Sequence, residues 1–180
     1  MTRTLVVDPG MSSGIVLAEY TATEPFKILG QWQLMEGGLP QFSDWVSNTL
    51  SIPGLDVVVC EKFSPLPRVF KLRELEPIRI EGFLYARCNG PNHSPVPIVW
   101  QTPSAMLIAG TNNGGSTRAQ KQAANKKAGD DMLRALGLWT TGKKDFGTKD
   151  ANDANAAMKH LIAYFRSIGH GPSLEVINRV

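Results

Sequence analysis

Two valine-rich runs, far apart in the chain, each end in a carboxylate: "LVVD" closes on Asp8 and "DVVVCE" closes on Glu61. β-Branched residues in short runs favour the pleated strand. Runs that are apolar throughout, rather than alternating, suit strands covered on both faces. An acid at the stop of such a strand restricts the fold. A buried carboxylate without a partner is costly, so a donor, a base or a metal ion must stand close to it. Taken alone, each acid also has an ordinary account. Asp8 precedes Pro9-Gly10, which is normal turn chemistry, and Glu61 has Lys62 and Arg68 nearby as surface partners.

The rest of the chain supplies the frame. Residues 3–8 predict a strand and 14–20 a second, after the Pro9–Ser13 turn. "KILGQWQL", 27–34, predicts a third, and the short spacings predict an antiparallel meander. "LPQFSDWVSNTL" carries Leu39, Phe42, Val46 and Leu50 at helical spacing. Residues 68–88 predict a helix that Pro77 must kink or divide. "VPIVW", 96–100, predicts a short strand, and helices are expected at about 103–109, 117–136 and 149–167. From Gly169 onward a loosely held tail is expected. This order predicts an α/β domain with a mixed sheet, its first three strands on the antiparallel side.

The 180 residues suit one domain spanning 1–180. Apolar residues make up 42% and charged ones 19%, which excludes a disordered chain. No stretch approaches the length of a membrane span and no apolar leader opens the chain, so a cytoplasmic protein is expected. Cys60 and Cys88 lie in apolar surroundings without metal-binding spacing, as core residues of a reducing compartment would. The net charge of +3 matters less than its placement. Arg118, Lys121, Lys126, Lys127 and Arg134 share one segment, with Lys143, Lys144 and Lys149 soon after. Such a cluster points to a polyanion, most simply nucleic acid, or else forms a solvated helix face.

A second acidic feature opens the last amphipathic segment, "KDANDANAAMKHLIAYF". Asp150 and Asp153 are three residues apart, which stacks them on one helix face. Acids in a first turn also complement the helix dipole without further function. Taken together, four acids at two strand ends and one helix start weaken the separate ordinary accounts. Carboxylates packed together repel unless cations lie between them, and hard oxygen donors suit Mg²⁺ or Mn²⁺.

"VVDPGMSSG", "VVVCE" with Phe63 just after, the late basic helix and the closing "DANDANAA" together resemble the RuvC family of Holliday junction resolvases, over about residues 4–165. The resemblance implies an RNase H-like fold: a mixed five-stranded sheet, three antiparallel strands then two parallel, with helices on both faces. It also implies a catalytic set of Asp8, Glu61, Asp150 and Asp153 holding two Mg²⁺ ions, with Mn²⁺ as a substitute. The implied activity is hydrolysis of branched DNA, four-way junctions above all, leaving 5′-phosphate and 3′-hydroxyl ends. Two metals can activate a water and stabilise charge on the leaving oxygen. Lys121 resembles the family's phosphate-contacting basic residue, with Arg118 a rival for that place. Lys126 and Lys127 extend the basic helix, and Phe63 resembles an aromatic that stacks on unpaired bases. A phenylalanine of the core is the alternative.

The resemblance also implies a homodimer built on the helix between Phe70 and Tyr85. Here this chain departs, with "LEPIRIEG" in place of the family's Gly-x-x-x-Gly-like small residues; Gly82 stays, and Pro77, Ile78 and Ile80 enter. A relaxed nuclease accepting forks and flaps therefore stands beside a strict resolvase. A nuclease on RNA–DNA hybrids and a non-cutting junction-binding protein are the alternative readings. An actin-like ATPase is disfavoured, because the chain lacks room for a second duplicated domain. A small stand-alone resolvase of this kind suits a bacterium or a bacteriophage-infected host cell. His160 lies seven residues beyond Asp153, a spacing that allows it the same helix face, and is most simply read as a structural or surface residue. Trp32, Trp45, Trp100 and Trp139 are expected mostly in the core.

Overall fold

A computed structural model describes residues 1–63, 72–103, 118–140 and 152–179. The expected meander is present: β1 (Thr2–Asp8), β2 (Ser13–Tyr20) and β3 (Lys27–Leu34) pair antiparallel in sequence. Helix α1 (Gly38–Thr49) then leads to β4 (Val57–Glu61), which lies parallel to β1. Helix α2 (Glu76–Cys88) leads to β5 (Ile98–Gln101), parallel to β4. The sheet order is β3-β2-β1-β4-β5, so the two valine-rich strands are its centre. The remaining helices are α3 (Arg118–Ala135), α4 (Asn152–Ile168) and α5 (Gly171–Ile177).

Successive side chains of a strand point to opposite faces, and the two central strands divide accordingly. Leu5, Val7, Val58 and Cys60 face Phe42 and Val46 of α1 and Ile80, Leu84 and Cys88 of α2. Val6, Val57 and Val59 face Leu133 of α3, Ala157, Met158, Leu161, Ile162 and Phe165 of α4, and Ile177 of α5. Both faces are therefore covered by helices, as continuous apolar runs require. This is the mixed α/β arrangement that the order of elements predicts.

Three expectations need comment. Pro77 does divide its helix: a 3-10 turn at Leu72–Leu75 precedes α2, and the proline falls within the first turn of α2, where its missing N–H costs nothing. The loosely held tail is a correction. Residues 171–177 form α5, with Ser173 and Ile177 buried. The His170 side chain caps α5, and the Ser173 hydroxyl accepts the Phe26 N–H at 3.1 Å. Trp100 is a second correction, since it is 37% exposed on β5 rather than in the core. The helix expected near 103–109 lies outside the described residues. Among the described residues, no helix is long and apolar enough to cross a membrane.

Candidate active site

The parallel pairing of β1 with β4 aligns Val7 with Cys60, so Asp8 and Glu61 leave the sheet side by side at its carboxyl edge. That edge is where ligands of open α/β sheets gather. The third acid arrives from the far end of the chain. Gly14 of β2 pairs with Asp8, and the first turn of α4 crosses directly over Gly14. A Cβ at this position would run into the Asp153 carbonyl oxygen, so only glycine lets the helix start so close to the sheet. Asp153 thereby joins Asp8 and Glu61.

Their proximity shows in Asp8. Its residue surface is partly exposed, but its carboxyl is desolvated, and this burial is the largest cause pushing its pKa well above the ordinary range. The charges of Glu61 and then Asp153 push it further in the same direction, while Lys159 opposes them. Asp150 lies outside the described residues. So do the side chains of Arg118 and Lys121, whose backbones form the start of α3, and the loop at 110–116.

The acids are held by neighbours of which the sequence singled out only His160. The Gln33 side chain of β3 spans Asp153 and the helix backbone: its Nε2 donates to Asp153 Oδ2 at 2.5 Å, and its Oε1 accepts the Ala154 N–H at 2.8 Å. One amide thus fills an open backbone donor of the first turn of α4 and holds the acid in that turn. Gln31 accepts from Thr140 Oγ1 at 2.7 Å and donates to the Ala154 carbonyl at 3.0 Å. Asn155 brackets the Thr140 backbone, accepting its N–H and donating to its carbonyl, both at 3.1 Å. On the other side, fully buried His160 places Nε2 2.6 Å from Glu61 Oε2 and Nδ1 2.7 Å from Gln101 Oε1. Gln101 is the β5 residue paired with Glu61.

His160 had a legible signal, its shared helix face with Asp153. Gln33 and Gln101 had none, because their roles depend on strand pairing. Lys159 forms an ion pair with Asp130 at 2.5 Å, joining α4 to the basic helix α3. Lys126 and Lys127 are exposed on α3, with Lys127 bridged to Asp131 at 2.5 Å. Phe63 is half-buried, and its backbone N–H donates to Glu81 Oε1 at 2.5 Å.

Do these groups fit a divalent cation? Carboxylates are the hard oxygen donors that Mg²⁺ and Mn²⁺ prefer. The Asp8 carboxyl is raised first by burial and then by the charges of Glu61 and Asp153. Among the described residues, no group of three or more His, Cys, Asp or Glu side chains is placed to hold a metal ion. One oxygen of Glu61 and one of Asp153 are taken by His160 and Gln33, and the fourth sequence-predicted acid is Asp150. The donor chemistry fits.

Three solved structures share this fold. The fowlpox virus Holliday junction resolvase superposes with a TM-score of 0.54 at 18% identity, over 92% of this chain and 99% of its own. RuvC of T. thermophilus, in complex with a Holliday junction substrate, gives 0.54 at 13% identity, over 94% and 98%. The yeast mitochondrial Holliday junction resolvase Ydc2 also gives 0.54 at 13%, over 96% and 82%. The chain has the RuvC-like resolvase fold. In that RNase H-type frame, Asp8 and Glu61 end neighbouring parallel strands and Asp153 lies in the first turn of the long helix packed against them. No protein-family model matches the sequence, and no curated protein matches it closely.

Proposed function

We propose that the chain is a divalent-metal-dependent, structure-selective DNA endonuclease that resolves Holliday junctions and also accepts forks and flaps. One arrangement carries this reading: Asp8 and Glu61 end neighbouring parallel strands, and Asp153 lies in the first helical turn that crosses Gly14, the strand residue paired with Asp8. The RuvC-like fold supports the same substrate class. Asp8, Glu61 and Asp153, completed by Asp150, would hold two Mg²⁺ ions, or Mn²⁺ in their place. Such ions would supply an activated water and charge stabilisation at the leaving oxygen, and the products would carry 5′-phosphate and 3′-hydroxyl ends.

The chain's own groups prepare that chemistry. Gln33 keeps the Asp153 carboxylate from turning away. Lys126 and Lys127, with Lys121 or Arg118 nearer the helix start, offer backbone phosphates a basic surface that positions DNA without reading its sequence. Phe63, just past Glu61, would stack on an unpaired base. A homodimer would bring two such sites to one junction through α2. On its outer face Ile78 is 41% exposed and Tyr85 61%, and Gly82 between them has open space before it.

The test is cleavage of a synthetic four-way junction, a flap and an RNA–DNA hybrid, with Mg²⁺ or with EDTA. The expected result is metal-dependent cutting of the junction, abolished in Asp8→Asn and Asp153→Asn. Preferred cutting of the hybrid would replace this reading with an RNase H-type one. Tight junction binding without cutting, unchanged by Asp153→Asn, would leave a non-catalytic junction-binding protein.

A further inference from the structure

We infer that His160 is a positioning residue, which with Gln101 holds the Glu61 carboxylate so that one oxygen is engaged by the protein and the other is free to face a cation. This rests on the nuclease reading above and concerns how one of its acids is presented.

His160 is fully buried on α4, two turns beyond Asp153. Nothing in the apolar packing of that helix calls for an imidazole. Its immediate neighbours in the chain that face the sheet, Ala157, Met158, Leu161 and Ile162, are buried hydrocarbons. A buried polar ring is tolerated only when both nitrogens are satisfied, and here each has one oxygen partner, Glu61 and Gln101. The hydrogen-bonding inventory then gives a direction. If Gln101 presents Oε1, it accepts Nδ1–H. If its amide is turned, its NH2 donates to Nδ1. A carboxylate only accepts, so Nε2 carries the hydrogen that faces Glu61. The neutral ring then has its acceptor at Nδ1, which the turned amide serves, whereas Oε1 at that place requires both ring nitrogens to carry hydrogen. Gln101 thus sets the ring, and the ring sets Glu61 Oε2.

The alignment is built from three elements. Gln101 and Glu61 are paired across β4 and β5, and α4 lowers His160 onto both. Glu61 cannot turn toward Lys62 or solvent without leaving a buried imidazole nitrogen unpaired, which is costly. A carboxylate held through one oxygen approaches a cation through the other. Outer partners of this kind orient ligands, and their loss typically weakens metal binding or activity by about 10- to 100-fold.

The experiment measures Mn²⁺ binding directly, by electron paramagnetic resonance of the free ion, beside cleavage of a four-way junction. The variants are His160→Leu, His160→Gln and Gln101→Leu, each with its melting temperature. His160→Leu should bind Mn²⁺ about 10- to 100-fold more weakly than wild type, with a matching rise in the metal concentration for half-maximal cutting and little change in junction affinity. His160→Gln, which keeps an N–H near the Nε2 position, should recover most of that loss. Gln101→Leu should weaken Mn²⁺ binding in the same direction, and it decides the matter if His160→Leu does not fold. Folded His160→Leu or Gln101→Leu binding Mn²⁺ within twofold of wild type would overturn the inference, as would His160→Gln no better than His160→Leu. Wild type that cuts and binds Mn²⁺ confines such a failure to His160. Wild type that does neither removes the nuclease reading beneath it.

Discussion

Gly14 and the Asp153 carbonyl oxygen are in direct contact, which brings the start of the last long helix onto the backbone of the strand paired with Asp8. The contact leaves no room for a methyl group. Gly14→Ala must push α4 outward or distort β2, at a cost of about 1–3 kcal/mol for an overpacked site. At about 2–4 °C per kcal/mol for a chain of this size, thermal melting will register it. The larger effect falls on catalysis, because Asp153 moves with the helix. Junction cleavage should drop at least tenfold while junction binding is retained. Full activity in a stable Gly14→Ala protein would show that this approach does not set the acid's position.

The carboxyl of Asp8 ties stability to pH and to metal. Burial, Glu61 and Asp153 raise its pKa in the folded state, so the folded chain holds that proton more tightly than the unfolded one. Stability from this group therefore declines as pH rises out of the ordinary carboxylate range through the raised value. In EDTA, Asp8→Asn should melt above wild type at pH 7–8, with the gap closing toward pH 4. Mg²⁺ at 100 times its dissociation constant should stabilise wild type by about 2.7 kcal/mol and Asp8→Asn far less. Wild type that melts higher than Asp8→Asn in EDTA at pH 8 would contradict a crowded acidic site.

How far the site was legible follows from which interactions are local. The valine runs of β1 and β4 mark themselves by composition, and their terminal acids stand out because charge interrupts hydrophobicity. Asp153 is visible through helical spacing. Gln33, Gln101 and the partners of His160 depend on which strand lies beside which, and no local pattern records that. The same reason hides α5. "GPSLEVI" is too short to be a helix alone, and it is held by the His170 cap, by Ser173 on the Phe26 N–H and by burial of Ile177. Trp100 was misplaced for the opposite reason. β5 is an edge strand, so one flank lacks the cover that its apolar sequence suggests.

The two cysteines give a test of packing that is independent of the site. Both are fully buried on the face covered by α1 and α2. Burial pushes the Cys88 thiol up to about 11 and Cys60 well above its ordinary value. The thiolate is the reactive form, so at pH 8 about one Cys88 in a thousand is competent even before access is considered. A thiol reagent should label neither residue rapidly in the native protein at pH 8 and both after denaturation. Rapid native labelling of either would mean that α2 does not cover this face.

The basic face of α3 can be weighed by salt. Lys126 is exposed, and Lys127 is shared with Asp131. If both contact phosphates, Lys126→Ala and Lys127→Ala should each weaken junction binding at every sequence tested. Each should also flatten the plot of log affinity against log salt by about 0.9. Because Lys127 must give up Asp131 to reach DNA, Asp131→Asn should tighten binding slightly. Equal slopes for wild type and the Lys126→Ala, Lys127→Ala double variant would move the DNA off this helix.

If two copies meet through the outer face of α2, as proposed above, cuts come in pairs. Ile80, Leu84 and Cys88 are buried within the chain, which leaves Ile78, Gly82 and Tyr85 along the opposite side. An isoleucine and a tyrosine exposed around a glycine with open space before it suit close approach of a second copy. Tyr85→Glu places a charge in that contact without touching the core, so the melting temperature at low protein concentration should hold while light scattering reports a monomer. A dimer holds two active sites on one junction, whereas a monomer holds one. On a supercoiled plasmid extruding a cruciform, wild type should yield linear product and Tyr85→Glu mainly nicked circles. A Tyr85→Glu protein that stays dimeric and still linearises the plasmid would place the subunit contact elsewhere.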